Sequence, residues 1–487
     1  MKQLLSASLV KKSLASHSWL GLCVGALMYL VCLSGTLAVF HHEWERWEQP
    51  NIEEGVTLAS EQLQQAYAEA AQRMGEVHDI VISLPVEDNP RTVISADGQG
   101  WFVNADGSLG ESINHGWTEL VADLHLYLHL PHSWGMIVVS ILGALLCGLI
   151  ISGVLAHPGL FRDAFSLRAD GARLEQVDIH NRLSVWGAPF HLMIAITGAF
   201  FGLAQFTGLL VAMAFYDGDS EAMLEELYGG HPHVEQSASV AQVSKALAQM
   251  PQIAPQATPF YITVEHPGED DQFMLVGARH PERLIYAEQY RFTADGEYID
   301  HVGFSDGAAG QQFIFSVYRI HFGHFGGLTT KILFLIAGLA LTIVSVTGIN
   351  IWLHKRKHRD AINNLWAALV WGAPLALVIL AIVDLYAGVA SVGLYWVLTV
   401  ACMAAAQWRD DEVSTRFGLQ CLTSVALVLL VLSHGLQFGW LTNPAANSIN
   451  LSFIVTALLL LGWGRFSRRR AQGTRLSEET VAQAGRA

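Results

Sequence analysis

Histidines occur in this sequence at the ends of long apolar segments. The stretch RIHFGHFGGLTTK at 319–331 places His321 and His324 among glycines and aromatic residues, directly before one such segment. Neutral imidazole is a strong axial ligand for iron and a common ligand for other transition metals. An ionisable side chain close to a hydrocarbon core is costly unless it has a partner. The placement therefore predicts a functional role for these histidines, with metal ligation as the leading chemistry.

The spacing of the histidines reveals an internal repeat. His17 and Gly35 lie 18 residues apart at the first apolar segment, and His180 and Gly198 lie 18 residues apart at the third. Spacings of 28 and 27 residues accompany the second and fourth segments, from His125 to Gly153 and from His321 to Gly348. Matched spacings of this kind predict two copies of one unit, each consisting of a helix, an external segment and a second helix.

The composition is that of a membrane protein. The 487 residues are 52% hydrophobic and 15% charged, with a mean hydropathy of +0.34, whereas soluble domains carry about 25% charged residues. A transmembrane helix needs about 20 mostly apolar residues. Eight segments meet this requirement, at about 18–40, 133–156, 183–213, 328–353, 364–386, 388–406, 417–437 and 448–465.

Basic residues near the segment ends indicate the orientation. They precede the first span and follow the second, fourth and eighth. Because Lys and Arg accumulate on the cytoplasmic side, both termini are expected in the cytoplasm. The polar segments 41–130 and 214–318 are then external and contain most of the acidic residues. The formal net charge of -15 therefore describes an acidic outer face and argues against a nucleic-acid partner.

The two external segments have the same pattern of elements. EQLQQAYAEAAQRM in the first and VAQVSKALAQM in the second predict amphipathic helices, and alternating apolar residues around turns follow each of them. Each segment is thus expected to form a helix and a small antiparallel sheet. The predicted organisation has seven parts: the N-terminus and first span (1–40), the first external segment (41–130), spans two and three (131–213), the second external segment (214–318), span four (319–358), a four-helix membrane extension (359–470) and a cytoplasmic tail (471–487).

A b-type haem between helices is one use for such histidines. It requires two histidines at one depth on facing helices and small residues beside the porphyrin, and the four repeat spans are rich in glycine. His180 and His191 are separated by 11 residues, about 16 Å and three turns of helix, so they share one face. Two alternatives to haem stay open. Glycines also serve helix packing, and the close pairs His125/His129 and His321/His324 also fit zinc or copper sites.

Several motifs together resemble one family. HSWLGL, DLHLYLHL, SGVLAHPGLFRDAFSLR, DIHNRLSVWGAPFHLMIAITGA and RIHFGHFGGL followed by TGINIW are similar to the PepSY-associated transmembrane helix proteins, over about residues 10–358. The family includes siderophore-iron reductases of the bacterial inner membrane. The resemblance implies an α-helical integral membrane protein, here with about eight transmembrane helices, carrying two small periplasmic α+β PepSY-like caps. It also implies b-type haem and the reduction of ferric siderophores in the periplasm.

The resemblance extends to six histidines as haem ligands, namely His17, His125, His157, His180, His191 and His321. Two haems are expected, because one cannot easily bridge a hydrocarbon core of about 30 Å. The inner haem is expected on His17 with His180, or on one of these with His157 or His191. The outer haem is expected on His125 with His321.

The partners follow from the same interpretation. No GxGxxG fingerprint follows a strand, so the electron donor is expected to be quinol or a separate cytoplasmic reductase. Membrane lipid is a further partner, with Trp44 and Trp47 as interface anchors. Two alternatives remain: a non-enzymatic PepSY protein that binds a ligand or protease, and an iron or siderophore transporter. The transporter alternative rests on His434 and Asp384, two polar groups inside predicted spans.

Overall fold

A computed structural model describes residues 6–165, 172–230, 232, 234, 239–303, 307–356, 358–441 and 443–484. The described chain is mostly helical and divides into two compact units. The helical unit lies within Met1–Pro50, His115–Ala199 and Leu333–Ala487, and the sheet unit lies within Asn51–Asn114 and Phe200–Ile332.

The helices, in chain order, are α1 (Ala7–Ala38), α2 (His41–Glu48), α3 (Ser60–Met74), α4 (Gly116–Tyr127), α5 (His132–Ala156), α6 (Leu160–Asp163), α7 (Ala172–Phe215), α8 (Ser220–Tyr228), α9 (Val243–Ile253), α10 (Ala309–Phe322), α11 (Gly327–Lys355), α12 (Ala361–Ala387), α13 (Val392–Arg409), α14 (Glu412–Phe438) and α15 (Pro444–Ala484). The strands are β1 (Asp79–Ser83), β2 (Val93–Ala96), β3 (Gln99–Val103), β4 (Leu109–Ser112), β5 (Thr258–Glu265), β6 (Phe273–Arg279), β7 (Glu288–Thr293) and β8 (Tyr298–Val302).

Seven helices in the described part of the chain are long and apolar enough to cross a membrane: α1, α5, α7, α11, α12, α14 and α15. Their outward-facing surfaces are apolar, as Trp186, Leu210 and Ile336 illustrate. The prediction of a multi-pass membrane protein is therefore supported. The sixth predicted span, 388–406, corresponds to α13, which is not among the seven. Its 18 residues extend about 27 Å, slightly less than the core thickness. A count of eight spans stays a prediction.

Aromatic residues of α2 lie inside the helical unit. The side chains of Trp44 and Trp47 are 6% and 0% exposed, and both pack against Trp117 and Phe453. The prediction that Trp44 and Trp47 anchor the protein at the lipid interface was wrong. An anchor must reach the headgroups, whereas these rings fill the space between α2, α4 and α15.

A buried polar network explains His434, which the sequence left without a role. Nε2 of His434 lies 2.8 Å from the carbonyl oxygen of Trp47, and the two rings stack with centroids 4.8 Å apart. Asn450 of α15 contacts Nδ1 of His434 at 3.2 Å and accepts a hydrogen bond from the Trp47 indole at 3.0 Å. These bonds satisfy polar groups that would be costly if buried alone. They fasten α14 and α15 of the extension to α2.

The sheet unit contains one antiparallel sheet of eight strands in the order β4-β3-β2-β1-β5-β6-β7-β8. Each predicted external segment does supply a helix and four strands, so its content was predicted correctly. The two caps are not separate, however, because β1 pairs with β5 and joins them edge to edge. Apolar residues of alternate strand positions, such as Ile82, Ile262 and Met274, form one core with α3 and α9.

Two carboxyl groups face each other where the halves of the sheet meet. Asp79 of β1 is directly opposite Glu265 of β5, and the flanking rings of His78 and His266 are 4.8 Å apart. Burial, and then the hydrogen bond and the negative charge of Asp79, raise the pKa of Glu265 to about 7, although the two histidines oppose this shift. The junction therefore holds a shared proton at acidic pH and two repelling charges above neutrality.

The pH dependence of the junction can be tested with Glu265→Gln. A carboxyl whose pKa is raised in the folded state stabilises it at low pH, and the contribution is lost as the pH rises through about 7. We therefore compare the hydrogen exchange of the β1 and β5 amides at pH 6 and pH 8, after correction for the intrinsic effect of pH on exchange. In the wild type, the corrected rate should be higher at pH 8. The variant should show no such excess, whereas Glu297→Gln, on the exposed β7–β8 turn, should behave like the wild type. Equal excess in all three proteins would contradict the assignment.

Candidate functional site

Two of the predicted ligands come together between α1 and α7. The ring centroids of His17 and His180 are 6.1 Å apart, and the ring planes are inclined at 77°. Because a metal–imidazole bond is about 2.0–2.1 Å long, two imidazoles on opposite sides of one metal have centroids roughly 6 Å apart. The separation fits one iron between the rings. The structure thus brings together the first of the predicted inner pairs.

Hydrogen bonds to facing helices define the protonation of both rings. Nδ1 of His17 lies 2.9 Å from the carbonyl oxygen of Leu149 in α5. Nδ1 of His180 lies 3.1 Å from the carbonyl oxygen of Val344 in α11, and 3.1 Å from the hydroxyl of Thr347. A carbonyl oxygen can only accept, so Nδ1 of each ring donates the proton and the lone pair is on Nε2. This tautomer is the one that a ligating histidine held by its neighbours adopts.

The glycines of the repeat lie beside these histidines. A Cβ atom added to Gly153 of α5 would be 3.2 Å from Cε1 of His17, and one added to Gly348 of α11 would be 3.4 Å from Cε1 of His180. The first contact is tight, so a side chain at Gly153 would press on the ring, and the second is an ordinary van der Waals contact. In each repeat the first helix thus supplies a histidine, and the second supplies the glycine beside which that histidine packs.

His125 occupies an equivalent position at the other end of α1. Its Nδ1 lies 2.9 Å from the carbonyl oxygen of Val31, and a Cβ atom added to Gly35 would be 2.5 Å from its Cε1. His17 and Gly35, 18 residues apart, are separated by about 27 Å along the helix. His17 and the point on α1 against which His125 packs are therefore separated by nearly the thickness of a hydrocarbon core.

His191 is buried in the helical unit with one nitrogen lacking a hydrogen-bond partner. Its side chain is 2% exposed, and the ring bonds to the backbone of Ala337 in α11. Among the described residues, nothing is within hydrogen-bond distance of its Nε2. A buried lone pair without a partner is unfavourable in an apolar site. His191 therefore fits the predicted role of a ligand, three turns along α7 from His180.

The remaining predicted ligands have other surroundings. His157, at the C-terminal end of α5, lies with Nε2 3.7 Å from the carboxylate of Asp163. His321 belongs to the sheet unit, where its ring contacts Phe201 and Phe322 with centroids 5.3 and 5.4 Å away. The pairing of His125 with His321, and any ligand role of His157, stay predictions.

The alternative of a zinc or copper site on His125 and His129 finds no support in their contacts. Nδ1 of His125 bonds to α1, whereas Nε2 of His129, two residues beyond the end of α4, lies 2.8 Å from the carbonyl oxygen of Leu120 in α4. The ring of His129 packs on Tyr395 and Trp396 of α13. The two imidazoles thus bond to different helices, and His129 holds α4 against the extension.

Glu48 is a residue that the sequence analysis missed. Its carboxylate accepts hydrogen bonds from the backbone N–H groups of Trp117 at 2.9 Å and Thr118 at 3.2 Å, and from the Thr118 hydroxyl. It also shares a hydrogen bond with Asp384 of α12. Burial, reinforced by the charge of Asp384, raises the pKa of Glu48 well above its ordinary range. The two carboxyl groups share a proton. Glu48 accepts the hydrogen bonds of the first turn of α4, and its contact with Asp384 connects this turn to the extension. Asp384 therefore has a structural role.

The sheet unit carries an aromatic–arginine surface, defined here by Arg279, Tyr286, Tyr318, Arg319 and Phe322. The rings of Tyr286 and Tyr318 are 4.6 Å apart, and those of Tyr318 and Phe322 are 4.5 Å apart. Burial and the neighbouring charge of Arg279 lower the pKa of Arg319, although Asp88 opposes this shift. Within the part of the chain that the structure describes, Nε of Arg279 is buried without a hydrogen-bond partner. The surface is therefore suited to an anion with flat, conjugated groups.

Comparison with known proteins agrees with the architecture. The sequence profile of the PepSY-associated TM region matches residues 14–355, which include all six predicted ligands. An uncharacterized protein of Pseudomonas aeruginosa, PA4219, is 27% identical over 254 residues, covering 49% of this chain and 64% of that protein. The chain thus spans less than two thirds of the length of this relative.

The close approach of His125 to α1 can be tested with Gly35→Ala. The added methyl group would displace the ring and break its hydrogen bond to Val31, which is expected to cost about 1 kcal/mol of unfolding free energy. Gly148→Ala is the matched control, because its Cβ would meet only Leu20, at 3.9 Å. The control should leave the thermal unfolding midpoint of the detergent-purified protein unchanged or raise it, since Ala favours helix over Gly. Equal midpoints for the two variants would contradict the contact.

Proposed function

The chain belongs to the PepSY-associated TM family, and we propose that it is a b-type haem reductase that passes electrons across the bacterial inner membrane to ferric siderophores in the periplasm. The observation that carries the proposal is the pair His17 and His180, 6.1 Å apart with both Nδ1 atoms bonded to backbone carbonyl groups. A polar pair of this kind is costly within a membrane. Simple helix packing does not require it.

Haem is proposed at two levels along α1. His17 and His180 would hold the inner group, and Gly153 and Gly348 lie beside their rings. His125, packed on Gly35, would be a ligand at the other level, and His191 offers a further buried nitrogen. Haem, when bound, supplies a one-electron carrier. Two such carriers along α1 would divide a distance of about 27 Å into shorter transfers.

The chain itself would bind the haem, orient the ligating rings and keep water away from them. The backbone carbonyl groups of Leu149 and Val344 hold the Nδ1 protons, so the Nε2 lone pairs stay available to iron. The apolar surroundings in α1, α5 and α11 exclude water from the path. The proposed electron donor is quinol or a separate cytoplasmic reductase, and both termini are proposed to be cytoplasmic. Each ferric ion takes up one electron and leaves its siderophore as Fe(II).

The acceptor site is proposed at the aromatic–arginine surface. It belongs to the same unit as His321, and Tyr318, Arg319, His321 and Phe322 all lie on the last turns of α10. Ferric complexes of catecholates are anionic and carry aromatic rings, so they match both features of the surface. Ferrous iron is bound less tightly by such oxygen ligands. Reduction there therefore promotes release.

Visible spectroscopy of the detergent-purified protein tests the haem. The wild type, expressed with ample haem supply, should show a b-type α-band after dithionite reduction, and added ferric siderophore should reoxidise it. His17→Ala and His180→Ala should each lose about half of the pyridine haemochrome if two haems are present, because each removes a ligand of the same group. His301→Ala, an exposed residue of β8, is the control. A colourless wild type, or full haem in both ligand variants, would refute the proposal.

Arg279→Gln tests the acceptor surface. Loss of the guanidinium should raise the concentration of an anionic ferric tris-catecholate needed for half-maximal reoxidation by about tenfold, an effect typical for one charge-assisted hydrogen bond. A neutral ferric tris-hydroxamate should be affected much less, and the haem content should not change. Arg283→Gln, an exposed neighbour on the loop after β6, serves as the control. If Arg279→Gln affected both chelates equally, Arg279 would not be the residue that recognises the negative charge.

A further inference from the structure

A cluster of metal-ligand side chains lies at the start of α2, outside the candidate haem positions. Nδ1 of His42 is 2.9 Å from one carboxylate oxygen of Glu45, and Nδ1 of His41 is 3.6 Å from the other. One ligand atom from each of the three residues lies within 4.8 Å of those of the other two. The three residues belong to adjacent turns of one helix, where positions three and four apart face the same side.

A fourth side chain positions the carboxylate. His115, at the N-terminal end of α4, has Nδ1 3.4 Å from Oε1 of Glu45. This histidine is buried, whereas the side chains of His41 and His42 are 38% and 29% exposed. His115 and His41 both lie against Oε1 of Glu45, and His42 lies against Oε2, so the buried His115 holds the carboxylate between two imidazoles that solvent can reach. Partner groups that orient a ligating carboxylate in this way are typical of metal sites.

We propose that His41, His42 and Glu45 form a binding site for a divalent transition metal, with Fe(II) as the ion that this set of ligands favours. Two histidines and one carboxylate with open positions are the ligands of non-haem Fe(II) sites. Metal–ligand bonds of about 2.0–2.2 Å place neighbouring ligand atoms roughly 3–3.5 Å apart. The observed separations of 2.9 and 3.6 Å bracket this range. The side chains therefore need to move little once the metal ion displaces the proton that Nδ1 of His42 donates to the carboxylate.

The ligands of the site suit the ferrous product of the proposed reaction. Two residues separate His41 from the last residue of α1, near the end of that helix where His125 of α4 packs on Gly35. Imidazole is a better ligand for Fe(II) than for Fe(III) held by hard siderophore oxygens. The site would give the ferrous product its first protein ligands, and this part of the inference rests on the proposed function. Binding of a divalent metal by the cluster does not.

Anaerobic equilibrium dialysis of the full-length purified protein against Fe(II), and separately against Zn(II), tests the site. The wild type should bind one equivalent that Glu45→Gln and His42→Ala bind at least tenfold more weakly. Glu45→Gln keeps an oxygen acceptor for His115, so its folding should be preserved, and the thermal midpoint of each variant checks this. His301→Ala, remote in sequence and located in the sheet unit, is the matched control and should bind as the wild type does.

Each result has a distinct meaning. Equal stoichiometry and affinity in the wild type, Glu45→Gln and His42→Ala would overturn the metal site. A difference between them in a protein that carries no haem would uphold the site and remove its link to iron release. The haem α-band, measured on the same samples, should be equal in all four proteins, because none of the substituted residues is a proposed haem ligand.

Discussion

The hydrogen bond from an imidazole Nδ1 to a backbone carbonyl oxygen of a neighbouring helix is the interaction on which the candidate site depends. It occurs at His17, His180 and His125, each time across a helix–helix contact. A carbonyl oxygen has two lone pairs, so it accepts the imidazole in addition to its own helical bond. The ring must come very close to the backbone to make this bond. Glycine permits the approach at Gly153 and above all at Gly35, where an added Cβ would come closest to the ring.

The extension, α12 to α15, is tied to the rest of the helical unit by polar groups in apolar surroundings. Asp384 shares a hydrogen bond with Glu48, and His434 bonds to the backbone of Trp47. Each would destabilise the fold if its partner were removed, because a buried polar group loses its contacts with water. The transporter alternative relied on these two residues as groups without a role. Their structural partners remove that support, and they give the extension a function in holding α2 and α4.

The sheet shows how duplication solves the problem of exposed edges. A four-stranded sheet leaves unpaired backbone groups on its outer strands. Here β1, the first strand of one repeat, pairs with β5, the first strand of the other, so each four-stranded half covers one edge of its partner. Antiparallel pairing sets the start of one strand against the end of the other, so the His-Asp dipeptide at the start of β1 faces the Glu-His dipeptide at the end of β5. The charged junction thus follows from the pairing of the two repeats.

The sequence by itself determined the membrane character, the repeat and the content of both polar segments, and it named His17 with His180 as one of several inner pairs. These properties follow from composition, period and spacing, which are local or which recur. The tertiary structure alone decided that the two caps share one sheet, that Trp44 and Trp47 are buried, and that Asp384 meets Glu48. The cluster of His41, His42, Glu45 and His115 also required it, since His115 is 70 residues from Glu45 in the chain. Such contacts depend on how the helices pack, and packing is set by the shapes of many side chains at once rather than by any periodic pattern.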